Sequence, residues 1–248
     1  MARTLLVTGG SRGIGAAICR LGAERGYNVA IVYNRQRERA EAVLRDVEAF
    51  GRRGVTIQAD TSDPARIVRM FDETEQAIGK VDAFVSNSGI IHKGAPLVDI
   101  AVETIREILD TDLTAHIIAN REAVRRMSRS RGGSGGAIVN ISSRAAPLFG
   151  TGGFIPYAAA KGGIDTLTAG LGREAAGDGV RVNGVRPGLI DTDMQRDTGI
   201  EDRLGRFGPS VPIGRSGTTE EVAEAVLWLL SDQASYVTST IIDVSGGR

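Results

Sequence analysis

TLLVTGGSRGIGAAIC (residues 4–19) begins with a short apolar, β-branched run and continues directly into a glycine-rich turn. The run predicts a buried β-strand, and the apolar spacing after Gly13 predicts a helix. Glycines at positions 9, 13 and 15 permit a tight turn and a close approach of the backbone to a phosphate at the helix N-terminus. A strand, a glycine turn and a helix in this order are typical of a dinucleotide-binding βαβ unit.

Six further apolar runs follow along the chain, and stretches of helical spacing separate them. The pattern predicts strands at 4–8, 28–33, 55–59, 81–86, 137–142, 180–185 and 240–244. Helices are predicted near 13–25, 35–50, 64–78, 99–129, 156–176 and 218–231. Strands that alternate with helices require right-handed crossovers. The predicted fold class is therefore α/β, one doubly wound domain over 1–248 with a seven-stranded parallel sheet.

The composition argues against several classes of partner. With 30 basic and 30 acidic residues the formal net charge is zero, which favours neither a nucleic-acid nor a membrane partner. One Cys and two His make a metal site unexpected. No apolar stretch approaches the ~18 residues of a membrane span, and the N-terminal apolar run is too short for a signal peptide. We expect a cytoplasmic globular protein.

The end of the second predicted strand indicates which dinucleotide the glycine turn would hold. An NAD site usually carries an Asp or Glu there, which bonds the ribose 2′-hydroxyl. Here Tyr33 and Asn34 occupy the position, and Arg12, Arg35 and Arg37 lie close in sequence. Cations in place of an anion favour NADP(H), with NAD(H) possible. Arg12 is the best candidate, because Arg35 and Arg37 also fit a solvated helix start.

Polar residues also follow the third and fourth predicted strands. Asp60 could accept a hydrogen bond from an adenine amino group, and Asn87 and Gly89 reach the same edge of the sheet. Asn and Gly are also ordinary turn formers, so a structural and a functional interpretation both stay open.

PYAAAKGG (156–163) places a phenol and an amine one helical turn apart. Only three of the 30 basic residues are lysines, so Lys161 indicates a need for a compact, titratable ammonium. Tyr157 and Lys161 share a helix face, and the ammonium is expected to lower the phenol pKa from ~10. Tyr157 would then act as a general acid or base. Ser142 or Ser143 could hydrogen-bond a developing alkoxide, which completes a hydride-transfer site.

The sequence resembles the short-chain dehydrogenase/reductase family over essentially its whole length. The resemblance rests on TGGSRGIG (8–15), NSG (87–89), ISS (141–143), YAAAK (157–161) and RPGLIDT (186–192). It implies a Rossmann-type fold, reversible carbonyl/alcohol interconversion with a nicotinamide cofactor, and a small-molecule substrate. It also implies a homotetramer or homodimer.

The same resemblance implies residue roles. Tyr157 would be the acid/base, Lys161 would hold the nicotinamide ribose and lower the tyrosine pKa, and Ser143 would orient the substrate oxygen. Besides Tyr157 and Lys161, the implied cofactor-binding positions are Gly9, Ser11, Arg12, Gly13, Ile14, Gly15, Asn34, Arg35, Asp60, Thr61, Asn87, Gly89, Pro187, Gly188, Ile190 and Thr192.

Asp112 is the main departure from the family pattern. In ILDTDLTAH (108–116) the family usually has Asn at this position, as a helper in a proton relay. An ionised Asp would add a negative charge near the site, whereas burial would raise its pKa and keep it protonated. We therefore count Asp112 among the catalytic positions and treat its effect on turnover as open.

Smaller departures lie elsewhere. The interval from Ser143 to Tyr157 is one residue longer than is common, which predicts a loop insertion around 147–153. SNSG replaces the usual NNAG at 86–89, and Ser239 stands where many relatives have Gly.

The expected function is that of an NADP(H)-preferring oxidoreductase that interconverts a carbonyl and a secondary alcohol. A 3-oxoacyl thioester or small ketone is the favoured substrate. The irregular segment 191–217 is expected to be a substrate lid. The alternatives are a sugar or polyol dehydrogenase of the same family, or a catalytically weak NADP-binding regulatory protein because of Asp112. GGSGG (132–136) matches a hydrolase motif but runs from helix to strand, which argues against that class. His116 is expected to be a packing or interface residue.

Overall fold

A parallel β-sheet forms the centre of the structure, a computed structural model that describes residues 2–248. Within that range the sheet has seven strands in the order β3-β2-β1-β4-β5-β6-β7. Chain order gives β1 (Thr4–Val7), β2 (Asn28–Tyr33), β3 (Gly54–Gln58), β4 (Val81–Ser86), β5 (Gly136–Ile141), β6 (Val180–Pro187) and β7 (Ile241–Val244). These bounds confirm the predicted strands to within two residues.

Helices cover both faces of the sheet. Those in the described range are α1 (Gly13–Glu24), α2 (Arg37–Ala49), α3 (Pro64–Ile78), α4 (Val102–Leu109), α5 (Ala115–Met127), α6 (Ile155–Glu174), α7 (Met194–Asp197), α8 (Arg203–Phe207) and α9 (Thr219–Leu230). Alternate strand residues face opposite sides, so Leu5 packs with α1, α2 and α9 while Leu6 packs with α3 and α5. Burial of both faces explains why the strands are continuously apolar.

The helix predicted at 99–129 is present over residues 102–127, but it contains a π-helical turn that the sequence did not indicate. The structure has a 3₁₀ turn at Leu97–Asp99, then α4, a π-helical turn at Asp110–Thr114, and α5. A π-helical turn holds an additional residue, which turns Asp112 into the core, where it is fully buried. Its carboxylate accepts a hydrogen bond from the Ile90 N–H at 2.8 Å. Helical spacing alone does not distinguish such a turn from a regular helix.

The segment 191–217, which we call the lid, is a closed loop with two short helices, α7 and α8. An isolated parallel bridge joins Ile190 to Gly217 at its base. The Asp191 N–H donates to the Gly217 carbonyl at 3.0 Å, and the Gly217 N–H donates to the Leu189 carbonyl at 2.9 Å. Both ends of the lid are therefore fixed beside the carboxyl end of β6.

Every helix in residues 2–248 is too short or too polar to span a bilayer.

The loop before β7 packs tightly against α6. Ser239 has a φ of +60°, the left-handed region that favours glycine, which gives a physical reason for the Gly that the family resemblance implies at this position. A Cβ added to Gly172 would lie 2.6 Å from the Ser239 Cα and 2.8 Å from the Val182 carbonyl oxygen. Only glycine therefore permits this approach of helix to loop.

We expect Gly172→Ala to lower the free energy of unfolding by at least about 2 kcal/mol, because backbone atoms must move. Gly170→Ala on the same helix is the control, since its added Cβ meets no atom within 4 Å. That variant should gain about 0.5–1 kcal/mol from helix propensity. Urea unfolding followed by circular dichroism measures both, and equal effects of the two substitutions would contradict the packing argument.

Candidate active site

The site lies where the strand order reverses, between the carboxyl ends of β1 and β4. Thr8 joins these two ends, because its Oγ1 accepts from the N–H groups of Asn87 (2.9 Å) and Ser88 (3.1 Å). The Asn87 amide donates in return to the carbonyls of Thr8 (2.9 Å) and Gly9 (3.3 Å). Asn87 therefore fixes the glycine turn from the neighbouring strand.

The glycine turn leaves an open helix end toward the cleft. Gly9 and Gly13 have φ of +64° and +54°, and a Cβ on Gly15 would lie 2.2 Å from the Gly9 carbonyl oxygen. All three positions thus require glycine. Arg12 is the N-cap of α1, and its side chain makes no capping hydrogen bond. N–H groups of the first turn are left for an anion, so this turn fits a pyrophosphate.

Two arginines converge at the mouth of this turn. Arg12 Nη1 lies 3.9 Å and Arg39 Nη1 2.5 Å from Asp193 Oδ2 on the lid, and all three side chains line one groove. Arg39 was missed in the sequence, where it is one more cation in a charged helix. The Arg35 charge acts on Asp60 instead, whose pKa is lowered mainly by hydrogen bonds from Ser62, with Arg35 a smaller cause.

Tyr157 and Lys161 lie on α6 at the inner wall of a cavity of about 150 Å³. They are 8% and 3% exposed, and Lys161 Nζ lies 5.6 Å from the centre of the tyrosine ring. Lys161 Nζ also donates to the Ile141 carbonyl at 3.2 Å. Ser143 lines the same cavity, and its Oγ accepts from the Ala145 N–H at 3.0 Å. The predicted trio is therefore assembled in one place.

The expectation that Lys161 brings the Tyr157 pKa below its ordinary value is wrong for this structure. Burial raises the pKa of Tyr157 above 10.0 and outweighs the Lys161 ammonium, which lowers it. The Asp112 carboxylate raises it further. Lys161 acts in the predicted direction but is the smaller of the opposed effects.

Asp112 lies beside Lys161, and only one of its two carboxylate oxygens forms a hydrogen bond within residues 2–248. Oδ1 accepts from the Ile90 N–H, whereas Oδ2 lies 3.8 Å from Lys161 Nζ and has no hydrogen-bond partner among residues 2–248. Burial raises its pKa to about 6, against the opposing effect of Lys161. A Cβ on Gly89 would lie 3.3 Å from Asp112 Oδ2 and 3.4 Å from Lys161 Nζ, so Gly89 covers the pair closely.

His116, expected to be a packing or interface residue, is a buried structural part of the site. Its Nδ1 lies 2.9 Å from Ser86 Oγ and its Nε2 2.7 Å from the Ser88 carbonyl oxygen. A carbonyl only accepts, so Nε2 carries the proton and Nδ1 accepts from the Ser86 hydroxyl. Burial and the Lys161 charge lower the His116 pKa to about 3. The ring is neutral and holds the end of β4.

The outer wall of the cavity is basic. Arg203 from α8 and Arg248 both line it with Tyr157. The Arg203 guanidinium carbon lies 5.4 Å from the centre of the Phe154 ring, and Nη1 donates to Gln195 Oε1 at 2.9 Å. Burial, followed by the neighbouring Arg248 charge, lowers the Arg203 pKa.

The predicted positions fall into three groups. The cavity is lined by Ile14, Asn87, Gly89, Ser143, Tyr157, Lys161, Pro187, Gly188, Ile190 and Thr192. The adjoining groove is lined by Ser11, Arg12, Gly13 and again Thr192. Neither space is lined by Gly9, Gly15, Asn34, Arg35, Asp60, Thr61 or Asp112.

Comparison with known proteins gives consistent matches over almost the whole chain. Residues 9–248 match the family described as Enoyl-(Acyl carrier protein) reductase. The chain is 45% identical over 243 residues to the uncharacterized oxidoreductase YgfF of Escherichia coli K12, covering 98% of each protein.

Two relatives carry a named activity. Cis-4-hydroxycyclohexanecarboxylate dehydrogenase of Sinomonas cyclohexanicum is 37% identical, over 99% of this chain and 96% of the relative. The 3-oxoacyl-[acyl-carrier-protein] reductase FabG of Staphylococcus aureus is 36% identical, over 100% and 98%. Among solved structures, a short chain dehydrogenase from Burkholderia cenocepacia J2315 in complex with NADP superposes with a TM-score of 0.90. It is 35% identical, over 99% of this chain and 97% of that one.

We expect Asp112→Asn to stabilise the protein at pH 7.5 by about 3 kcal/mol. The pKa of Asp112 rises from 3.8 to about 6 on folding. The folded protein therefore binds this proton more tightly, and stability is lost as pH rises from about 4 to 6. The Asn variant carries no such cost, so its advantage should vanish near pH 4. Asp110→Asn, in the same π-helical turn but exposed, is the control. Urea midpoints at both pH values measure this, and a pH-independent difference would contradict it.

Proposed function

We propose that this chain interconverts a ketone and a secondary alcohol with NADP(H). The premise is that it belongs to the short-chain dehydrogenase/reductase family and is an NAD(P)-dependent oxidoreductase. The observation that carries the proposal is the placement of the buried Tyr157 and Lys161, with Ser143, around one cavity beside the glycine turn.

In the proposed mechanism the substrate oxygen lies between the hydroxyls of Tyr157 and Ser143. During reduction Tyr157 donates its proton to that oxygen, and in oxidation the phenolate takes the proton back. Lys161, held by the Ile141 carbonyl, stabilises the phenolate. The Ser143 hydroxyl donates to the oxygen as negative charge develops. The bound nicotinamide supplies or accepts the hydride.

The cofactor is proposed to lie along the carboxyl edge of the sheet. The N–H groups at the start of α1 would hold the pyrophosphate, and Lys161 would bond the nicotinamide ribose. Arg12 and Arg39 would hold a 2′-phosphate in place of their contact with Asp193. The NADP complex of the Burkholderia neighbour supports a nicotinamide cofactor for this chain.

For the substrate we propose a small ketone or a 3-oxoacyl thioester. The 3-oxoacyl thioester is suggested by the name of the Staphylococcus reductase. The name of the Sinomonas dehydrogenase suggests a third candidate, a cyclic hydroxy acid. A sugar or polyol is the alternative within the same reaction class. A homotetramer in the cytoplasm remains our expectation for assembly and location.

A second candidate is an NADP-binding regulatory protein with weak turnover. The buried Asp112 carboxylate, with its unpartnered Oδ2 near Lys161, favours this alternative. NADPH binding without turnover on any carbonyl compound would support it. Recovery of turnover in Asp112→Asn would then identify the carboxylate as the cause.

We expect Tyr157→Phe to lower kcat by about 10²- to 10⁴-fold, because the general acid is lost. NADPH oxidation at a single wavelength measures this with cyclohexanone, a 3-oxoacyl thioester and a reducing-sugar analogue. The Kd for NADPH, from fluorescence, should stay within about twofold. Tyr236→Phe is the matched control, because that ring is fully exposed. A parallel loss of NADPH affinity in Tyr157→Phe would mean that the phenol has a structural role instead.

We expect NADPH to be preferred over NADH, and Arg12→Met to weaken NADPH binding about 10-fold or more while leaving NADH unchanged. Arg45→Met is the control, since Arg45 is exposed on α2 and lines neither the groove nor the cavity. Fluorescence titration of both cofactors measures the difference. Equal weakening of NADPH and NADH would assign Arg12 to a phosphate that the two cofactors share.

A further inference from the structure

We propose that the substrate of this enzyme carries an anionic group, such as a carboxylate, which Arg203 and Arg248 bind on the outer wall of the catalytic cavity. The natural substrates would then be keto acids and the corresponding hydroxy acids. The inference rests on the proposed oxidoreductase function and narrows its substrate class.

Arg203 is held in place before any ligand arrives. Its Nη1 donates to Gln195 Oε1 at 2.9 Å, and Gln195 Nε2 in turn donates to the Ile190 carbonyl at 2.7 Å. The guanidinium also lies against the Phe154 ring, 5.4 Å from its centre. A guanidinium has five N–H donors in a fixed plane, and Gln195 uses one. The remaining donors match the two oxygens of a carboxylate.

The charge of Arg203 has no acidic partner. Within residues 2–248 neither Arg203 nor Arg248 forms an ion pair, whereas Arg144 in the same wall donates to Asp243 at 2.6 Å. The Arg203 side chain is partly buried, and the neighbouring charge with the largest effect on its pKa is that of another cation, Arg248. Two like charges at the edge of a partly closed space disfavour one another, and a bound anion would compensate both.

The position of Arg203 fits the reaction. Phe154 precedes Tyr157 by three residues at the start of α6, which is roughly 5 Å along the axis. The Arg203 charge also reaches Tyr157, whose pKa it lowers slightly. A carbonyl at Tyr157 and a carboxylate at Arg203 would thus be separated by a few bonds. This spacing suits a compact keto acid better than a long acyl chain.

The same anion chemistry could instead come from the cofactor. Arg203 also lines the adjoining groove together with Ser11, Gly13 and Thr192, so its partner could be the pyrophosphate. The two sources differ in a measurable way, because only the substrate anion can be removed without changing the cofactor.

The test uses acetoacetate, levulinate and 4-oxocyclohexanecarboxylate, each with its methyl ester as the neutral counterpart, and NADPH as the reductant. We expect at least one keto acid to exceed its ester in kcat/KM by about 10- to 100-fold, the range for charge-assisted hydrogen bonds. Arg203→Met should bring the ratio of kcat/KM for acid over ester close to one, through a raised KM for the acid, with the Kd for NADPH unchanged. Arg203→Lys should restore part of the preference, because charge returns without the planar fork.

Arg206→Met is the control on the same helix, since Arg206 is exposed and lines neither the cavity nor the groove. Equal kcat/KM for acids and esters would overturn the inference and leave the proposed function intact. An increased Kd for NADPH in Arg203→Met, with equal loss on acid and ester, would also overturn it and assign Arg203 to the pyrophosphate.

Turnover of neither acids nor esters would contradict the proposed function itself. Calorimetry with cyclohexanecarboxylate and cyclohexanecarboxamide then decides the anion site separately. Tighter binding of the carboxylate that disappears in Arg203→Met supports it, and equal binding of the two compounds overturns it.

Discussion

The site depends on the hydrogen bonds that join the ends of β1 and β4. Four hydrogen bonds cross the reversal point, between Thr8 and Gly9 on one side and Asn87 and Ser88 on the other, and they fix the glycine turn. From the other face, His116 holds Ser86 and Ser88. Two residues after Ser88, the Ile90 N–H donates a hydrogen bond to Asp112. The end of β4 is thus bound on both sides, which fixes the glycine turn, the Tyr157–Lys161 side of the cavity and the π-helical turn relative to one another.

Burial, more than any single ion pair, decides the electrostatics of the catalytic wall. It raises the pKa of Tyr157 and Asp112 and lowers that of His116, so each group is moved toward its neutral form. The Lys161 ammonium opposes this for Tyr157 and Asp112 and reinforces it for His116. Protonation of Asp112 would therefore lower the pKa of Tyr157, because the two groups interact through low-dielectric surroundings.

Much of the architecture could be predicted from the sequence, because it depends on local pattern. Apolar runs located the strands, and the glycine turn and the Tyr157–Lys161 pair were identified by spacing. What failed depends on contacts between distant residues. Asp112, in the π-helical turn, accepts a hydrogen bond from the Ile90 N–H, which lies 22 residues away in the chain. The hydrogen bonds of His116 to Ser86 and Ser88 depend on the packing of α5 against the end of β4. The pKa of Tyr157 depends on how deeply its side chain is buried. In the sequence, Arg39 and Arg203 look like ordinary surface cations, because their contacts with the lid residues Asp193 and Gln195 appear only in the structure.

The bridge between Ile190 and Gly217 lets the lid change in sequence and length independently of the sheet. Since the ends of the lid are already joined beside β6, the entropy of closing the loop depends only weakly on the length between them. Insertions, deletions and new side chains can accumulate there while the sheet and its proton-transfer groups stay as they are. Under the proposed function, the preferred substrate would change through this segment while the fold stays the same.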